Sequence, residues 1–179
     1  MLAAGPNPPR AATRKPVRNG PAVVLLDELN TRVDPDGKLF ASGRRAVRVL
    51  RPDGIDEARR LIRAGAYNIK VRSMNGWNLT ENRKTLRATI KEVVEMGLAP
   101  DTLYSDLTIK ILSLPSVEVG SVVGFEWTEE RSPESLEDVF EFQGSLPVLA
   151  ARYGLLLPPG WTTDPSWVNW KPQEPKIVP

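Results

Sequence analysis

The chain has 179 residues, with 24 Lys and Arg against 22 Asp and Glu, and contains neither cysteine nor histidine. These two absences exclude disulfides, thiol nucleophiles, thiolate metal sites and the Ser-His-Asp or Cys-His arrangements of hydrolytic catalysis. A hydrophobic content of 41% over this length fits one ordinary domain that can bury a core without covalent staples.

The basic residues are unevenly placed. Arg10, Arg14, Lys15 and Arg18 lie in the first 20 residues without an acidic residue, so the sequence pI of about 9.0 belongs to a tail. The rest of the chain carries 20 basic against 22 acidic residues. A nucleic-acid reader concentrates positive charge on its folded face, so nucleic acid is not an expected partner. Residues 1–20, broken by Pro6, Pro8, Pro9 and Pro16, are expected to form a disordered basic tail. They lack the apolar stretch of a secretory signal, and no apolar run in the chain approaches the roughly 20 residues that span a bilayer.

Order is expected from Pro21. Ala22 to Val33 and Lys38 to Arg51 have extended, β-branched character and flank Asp34-Pro35-Asp36-Gly37, which predicts a β-hairpin. Pro35 presets its own φ, and Gly37 supplies the positive φ that the turn needs. Asp34 and Asp36 also suggest a calcium loop, but the spacing fails. Lys38 and Leu39 stand where an EF-hand needs an oxygen ligand and a glycine. A second turn, Arg51-Pro52-Asp53-Gly54, is expected to close the far end of the hairpin.

Ile55 to Gly65 reads as a short helix with an acidic first turn or as a strand, while Ala66 to Trp77 favours a strand. Thr85 to Met96 fits a helical face and a strand about equally through Leu86, Ile90, Val93 and Val94. Leu107 to Leu114 alternates, with Leu107, Ile109 and Ile111 against Thr108, Lys110 and Leu112. Leu114 to Gly120 is a turn-bearing connection. Ser121 to Thr128 is a strand, Glu129 to Asp138 a charged loop, and Val139 to Gln143 and Val148 to Leu157 complete the strands. Short strands separated by proline or glycine turns predict an antiparallel β-sandwich over residues 21–157, mostly β, with short helices or none and Pro-rich irregular termini.

Residues 158–179 hold six prolines together with Trp161, Trp167 and Trp170. One reading pins this segment onto the sandwich through the large apolar area of each indole. The other exposes an aromatic surface built from Trp127, Trp161, Trp167 and Trp170, with Phe140 and Phe142 nearby, for a glycan or a protein partner.

Paired carboxylates are the catalytic route that the composition leaves open. Glu126, Glu129, Glu130, Glu134, Glu137, Asp138 and Glu141 cluster in sequence, as the two carboxyls of a glycoside hydrolase could. Most of them fall in the expected loop, where a solvated charge run is the ordinary reading. Glu126 shares the parity of Val122 and Gly124 and so faces inward unless the alternation slips at Gly124. Gly120 to Gly124 lacks the pattern of a phosphate-cradling loop. Asn78-Leu79-Thr80 has the form of a glycosylation sequon.

Several strings, in order, resemble a known bacterial family. They are Ala22-Val-Val-Leu-Leu-Asp27, Asp34-Pro-Asp-Gly37, Val49-Leu-Arg-Pro-Asp-Gly54, Leu98-Ala-Pro-Asp-Thr-Leu-Tyr-Ser-Asp106, Leu114-Pro-Ser-Val-Glu-Val-Gly-Ser121, Phe142-Gln-Gly-Ser-Leu-Pro-Val148 and Leu157-Pro-Pro-Gly-Trp161. Over residues 22–170 the set is similar to the domain-of-unknown-function 3857 family, which commonly stands before a transglutaminase-like domain. The resemblance implies a β-sandwich, strand rather than helix at Thr85 to Met96, and a periplasmic or extracytoplasmic setting. It implies that Cys-His-Asp catalysis belongs to the following domain, so none of those catalytic residues is placed on this sequence.

The expectation is a non-catalytic accessory domain that needs no cofactor and no metal. It would pack against a transglutaminase- or protease-like domain, or another protein, and position or present substrate. A free-standing module for a glycan or cell-envelope polymer is the alternative, and a carboxylate-based hydrolase the third reading.

Overall fold

The computed structural model describes residues 20–65, 68–97, 108–132, 137–169 and 171–176. Among these, nine strands form two sheets. They are β1 (Ala22–Val33), β2 (Leu39–Val49), β3 (Arg60–Gly65), β4 (Ile69–Leu79), β5 (Thr85–Thr89), β6 (Val94–Gly97), β7 (Thr108–Ser113), β8 (Val122–Arg131) and β9 (Ala151–Leu156). The larger sheet has the order β5-β4-β8-β2-β1-β9 and the smaller β3-β7-β6. The chain is mostly β, as its turn-punctuated sequence predicts. No helix among the described residues is long and apolar enough to cross a membrane.

The first hairpin forms as expected. Gly37 takes φ +81° and donates its N–H to the Asp34 carbonyl at 2.9 Å, and β1 pairs with β2 from Val33↔Leu39 to Ala22↔Val49. A bulge between Val24 and Leu26 interrupts that ladder, letting Val24 and Leu29 both reach the core. Along β8 the buried positions are Val123, Phe125, Trp127 and Glu129, so the alternation runs without a slip and places Glu126 on the outer face. These residues meet Leu39, Ala41, Gly43 and Val47 of β2 on one side and Met74 of β4 on the other. Leu61 of β3 and Leu112 of β7 close the core from the smaller sheet. Fully burying each such aliphatic side chain contributes about 1.5–3 kcal/mol.

Two expectations are corrected, the all-antiparallel sheet and the extent of the loop after Glu129, and two segments open between helix and strand are resolved. The sheet is mixed, because β9 runs parallel to β1 from Asp27↔Ala151 to Arg32↔Leu156. Ile55 to Gly65 is helix and then strand: a 3-10 turn at Pro52–Gly54 leads into a short helix, α1 (Ile55–Ala58), and β3 follows. Thr85 to Met96 is two strands in different sheets, divided by a 3-10 turn at Ile90–Glu92. Thr89 caps that turn: its hydroxyl accepts from the Lys91 N–H, while Glu92 accepts from the Thr89 N–H at 2.8 Å. Lastly, the expected loop from Glu129 is strand as far as Arg131, and Val139 to Gln143 is irregular rather than a strand. Residues 1–19 of the expected tail, Leu107, Glu134 and Trp170 lie outside the described residues.

Candidate docking surface

The larger sheet turns a largely polar face to solvent, with Trp77, Leu79 and Val122 making an apolar corner at one end of the β4–β8 pair. Across the outer face of the larger sheet, one register row reads Arg152, Glu28, Arg44, Glu126 and Asn75. Arg152 and Arg44 approach Glu28 and Glu126 at 3.6 Å each. In neighbouring rows Ser73 shares a 2.7 Å hydrogen bond with Thr128, Arg72 pairs with Glu130, and the Arg32 guanidinium lies 4.4 Å above the Phe40 ring. The Arg72 hydrogen bond holds the Glu130 carboxyl below its ordinary range. Cross-strand pairs of opposite charge suit a solvated sheet face.

The smaller sheet is inverted. Its inner parity carries Arg63, Lys110 and Glu95 beside the core residues Leu61 and Leu112. Its outer parity carries Ile62, Ile111 and Val94 in one cross-strand row, with the Ile109–Met96 pair in the next. Ile62, Val94 and Met96 are 52%, 58% and 52% exposed. Ile90, just before β6, is also exposed. This aliphatic patch is drawn from three strands, and contiguous patches of that kind mark contact surfaces.

The inversion follows from one buried carboxylate. Glu129 on β8 is 2% exposed and faces the smaller sheet. Arg63 of β3 meets it with two nitrogens, Nη2 to Oε1 at 2.9 Å and Nε to Oε2 at 3.1 Å. Arg131 donates Nε–H to Glu129 Oε1 at 2.7 Å and Nη1–H to Asp138 Oδ1 at 2.9 Å. Asp138 Oδ2 accepts from Thr31 Oγ1 and Tyr153 Oη, both at 2.8 Å. Burial disfavours the Arg131 charge, but Glu129 and Asp138 outweigh it and hold the guanidinium above its ordinary value. Burial pushes the Tyr153 hydroxyl up, and its bond to Asp138 adds to the shift. A buried carboxylate needs such partners, so Arg63 must turn inward. In an alternating strand that places Ile62 outside.

The candidate aromatic residues separate. Trp127 is 5% exposed, so it belongs to the core and not to a surface. Its ring packs over Gly43, and the Arg63 guanidinium lies 5.0 Å from its centroid. Tyr153, Phe140, Phe142 and Trp167 form a file: Tyr153 stacks on Phe140 at 5.6 Å, Phe140 meets Phe142 edge-on at 4.8 Å, and Phe142 stacks on Trp167 at 5.9 Å. Trp161 is exposed and outside this file. Asn78 of the sequon is buried and donates Nδ2–H to the carbonyls of Pro115 and Ser116, at 3.0 and 2.8 Å. That amide ties β4 to the turn before β8 and is closed to glycosylation in the folded chain.

Sequence reasoning passed over Arg63, Arg131, Ile62, Val94 and Met96. The available signal was in Thr108–Ser113: both parities carry apolar residues, as in a strand covered on both faces.

The family described as a domain of unknown function with solved structure, DUF3857, matches residues 35–178. No curated protein matches the sequence. Among solved structures, a crystal structure named a "putative protease" from Parabacteroides distasonis ATCC 8503 shares the fold, with a TM-score of 0.68 and 13% identity. The match covers 78% of this chain and 29% of that one, so this chain spans under a third of the other's length.

Proposed function

The chain belongs to the DUF3857 family, and on that footing we propose that it is a non-catalytic accessory domain that docks onto a transglutaminase- or protease-like domain. The observation that carries this reading is the aliphatic outer face of the smaller sheet, Ile62, Val94, Met96, Ile109 and Ile111, set against a larger sheet whose outer face carries a charge ladder. A docking core of this kind is apolar, with a polar rim. The fold is also found within a much longer chain in the Parabacteroides structure. The buried carboxylates support a structural reading of the acidic cluster, because Glu129 and Asp138 are both held by Arg131. The glycan alternative rests on Trp161, since Trp127 is buried and Trp167 is stacked on Phe142.

The test is calorimetric titration of the chain against a transglutaminase-like domain encoded with it. Wild-type chain should bind, I62E/V94E should not, and R44E on the opposite outer face should bind as wild type does. Absence of wild-type binding, or undiminished binding by I62E/V94E, would reject the proposal.

A further inference from the structure

A notch lies beside the β1 bulge, away from the aliphatic face. Its volume is about 230 Å³, and Asp27, Arg45, Glu141 and Ser145 line it over Val24 and Leu146. Ligand sites for whole metabolites run from about 300 to 1,000 Å³, so this one suits a side-chain end or a small ion. Its walls are held by backbone: the Val24 N–H donates to Pro147 O at 2.9 Å, Leu149 N–H to Val24 O at 2.8 Å, and Asp27 N–H to Ala150 O at 2.8 Å. Glu141 sits between Phe140 and Phe142, whose rings are fixed in the aromatic file.

The charges choose the ligand. Arg45 Nη1 donates to Asp27 Oδ2 at 2.7 Å, so the positive charge lining the notch is already balanced by a carboxylate. Glu141 makes no ion pair among the described residues, which leaves one negative charge in excess. Together with the Ser145 hydroxyl and an apolar floor, it complements a positive head carried on a hydrocarbon stem. We propose that the notch binds a primary alkylammonium group. A lysine side chain on a peptide and a free diamine both present that chemistry.

The test uses the full chain, labelled with nitrogen-15 and titrated with n-butylammonium chloride or sodium butyrate. Butylammonium should shift the amides of Asp27, Gly144 and Ser145 saturably, and butyrate should not. Glu141→Gln should weaken binding roughly two- to fivefold, the usual size for a partly exposed ion contact, and Glu141→Lys should abolish it. Added salt should weaken wild-type binding in parallel, a readout that needs no variant. Equal shifts with butyrate, no saturable shift with butylammonium, or wild-type binding by Glu141→Lys would overturn the proposal. Tighter binding of a Gly-Gly-Lys-Gly-Gly peptide than of cadaverine would support a peptide-borne amine, and the reverse a free one.

Discussion

Glu129 on β8 and Arg63 on β3 meet through contacts of 2.9 and 3.1 Å, joining the two sheets by a charged pair inside the sandwich. The Trp127 ring lies under the guanidinium, and Arg131 shares the Glu129 carboxylate. Removing one member of a buried pair leaves the other desolvated and uncompensated, which costs about 3–5 kcal/mol. Glu129→Gln keeps the shape and is expected to lower stability by about that amount, read as a fall in the urea midpoint at unchanged slope. A loss below about 1 kcal/mol, the size of an exposed pair, would mean that water reaches the site.

Gly43 is fixed by Trp127. A Cβ built on Gly43 would sit 2.0 Å from Cζ2 of the indole, so Gly43→Ala must displace the ring. Overpacking of this kind costs about 1–3 kcal/mol. The same displacement should change the near-ultraviolet dichroism of Trp127 and loosen its contact with Arg63. An alanine variant as stable as wild type, with an unchanged aromatic spectrum, would show that the ring is not confined there.

The first hairpin was legible because its turn is local chemistry: Pro35 and Gly37 define the reversal whatever surrounds them. Trp127 was harder. The strand Ser121 to Thr128 admits two phases, and the choice is made by the partner strand, where Gly43 leaves the space that the indole fills. Glu129 read as part of a solvated loop because its burial depends on Arg63, 66 residues earlier in the chain. The aliphatic face left one sequence signal, the apolar residues on both parities of Thr108–Ser113. Ile62, Val94 and Ile111 come from three separate segments, and the parity of each strand is decided by where Arg63 has to go.

Tyr153 gives a pH dependence with a definite sign. Burial, and then its bond to Asp138, raise the hydroxyl above the ordinary 10.0. Above pH 10 the unfolded chain sheds this proton while the folded chain keeps it, so ionisation favours unfolding. The stability that Tyr153 supplies is complete below pH 10 and is lost as pH rises from there towards the folded value. Tyr153→Phe should cost about 1.5–3 kcal/mol at neutral pH, the range for a hydrogen bond to a charged group, and should flatten the decline above pH 10. Urea midpoints from pH 8 to 11 check both, and an equal alkaline decline in the variant would assign it to other groups.

The aromatic file makes a prediction about the C-terminal segment. Phe140 is anchored through Tyr153, Phe142 leans on Phe140, and Trp167 stacks on Phe142 at 5.9 Å with the planes 29° apart. Each ring therefore holds the next, and Trp167 is the terminal clasp on a stretch without regular hydrogen bonding. An aromatic pair is worth about 0.5–1.5 kcal/mol beyond its buried area, and such energies translate into roughly two- to twelvefold in a local opening equilibrium. Trp167→Ala should accelerate chymotryptic cleavage after the exposed Trp161 by about that factor. The global urea midpoint should barely move, because the core cluster does not include this ring. Cleavage at the wild-type rate would mean that the segment is held independently of the stack. A large fall in the midpoint would mean instead that the file is part of the cooperative unit.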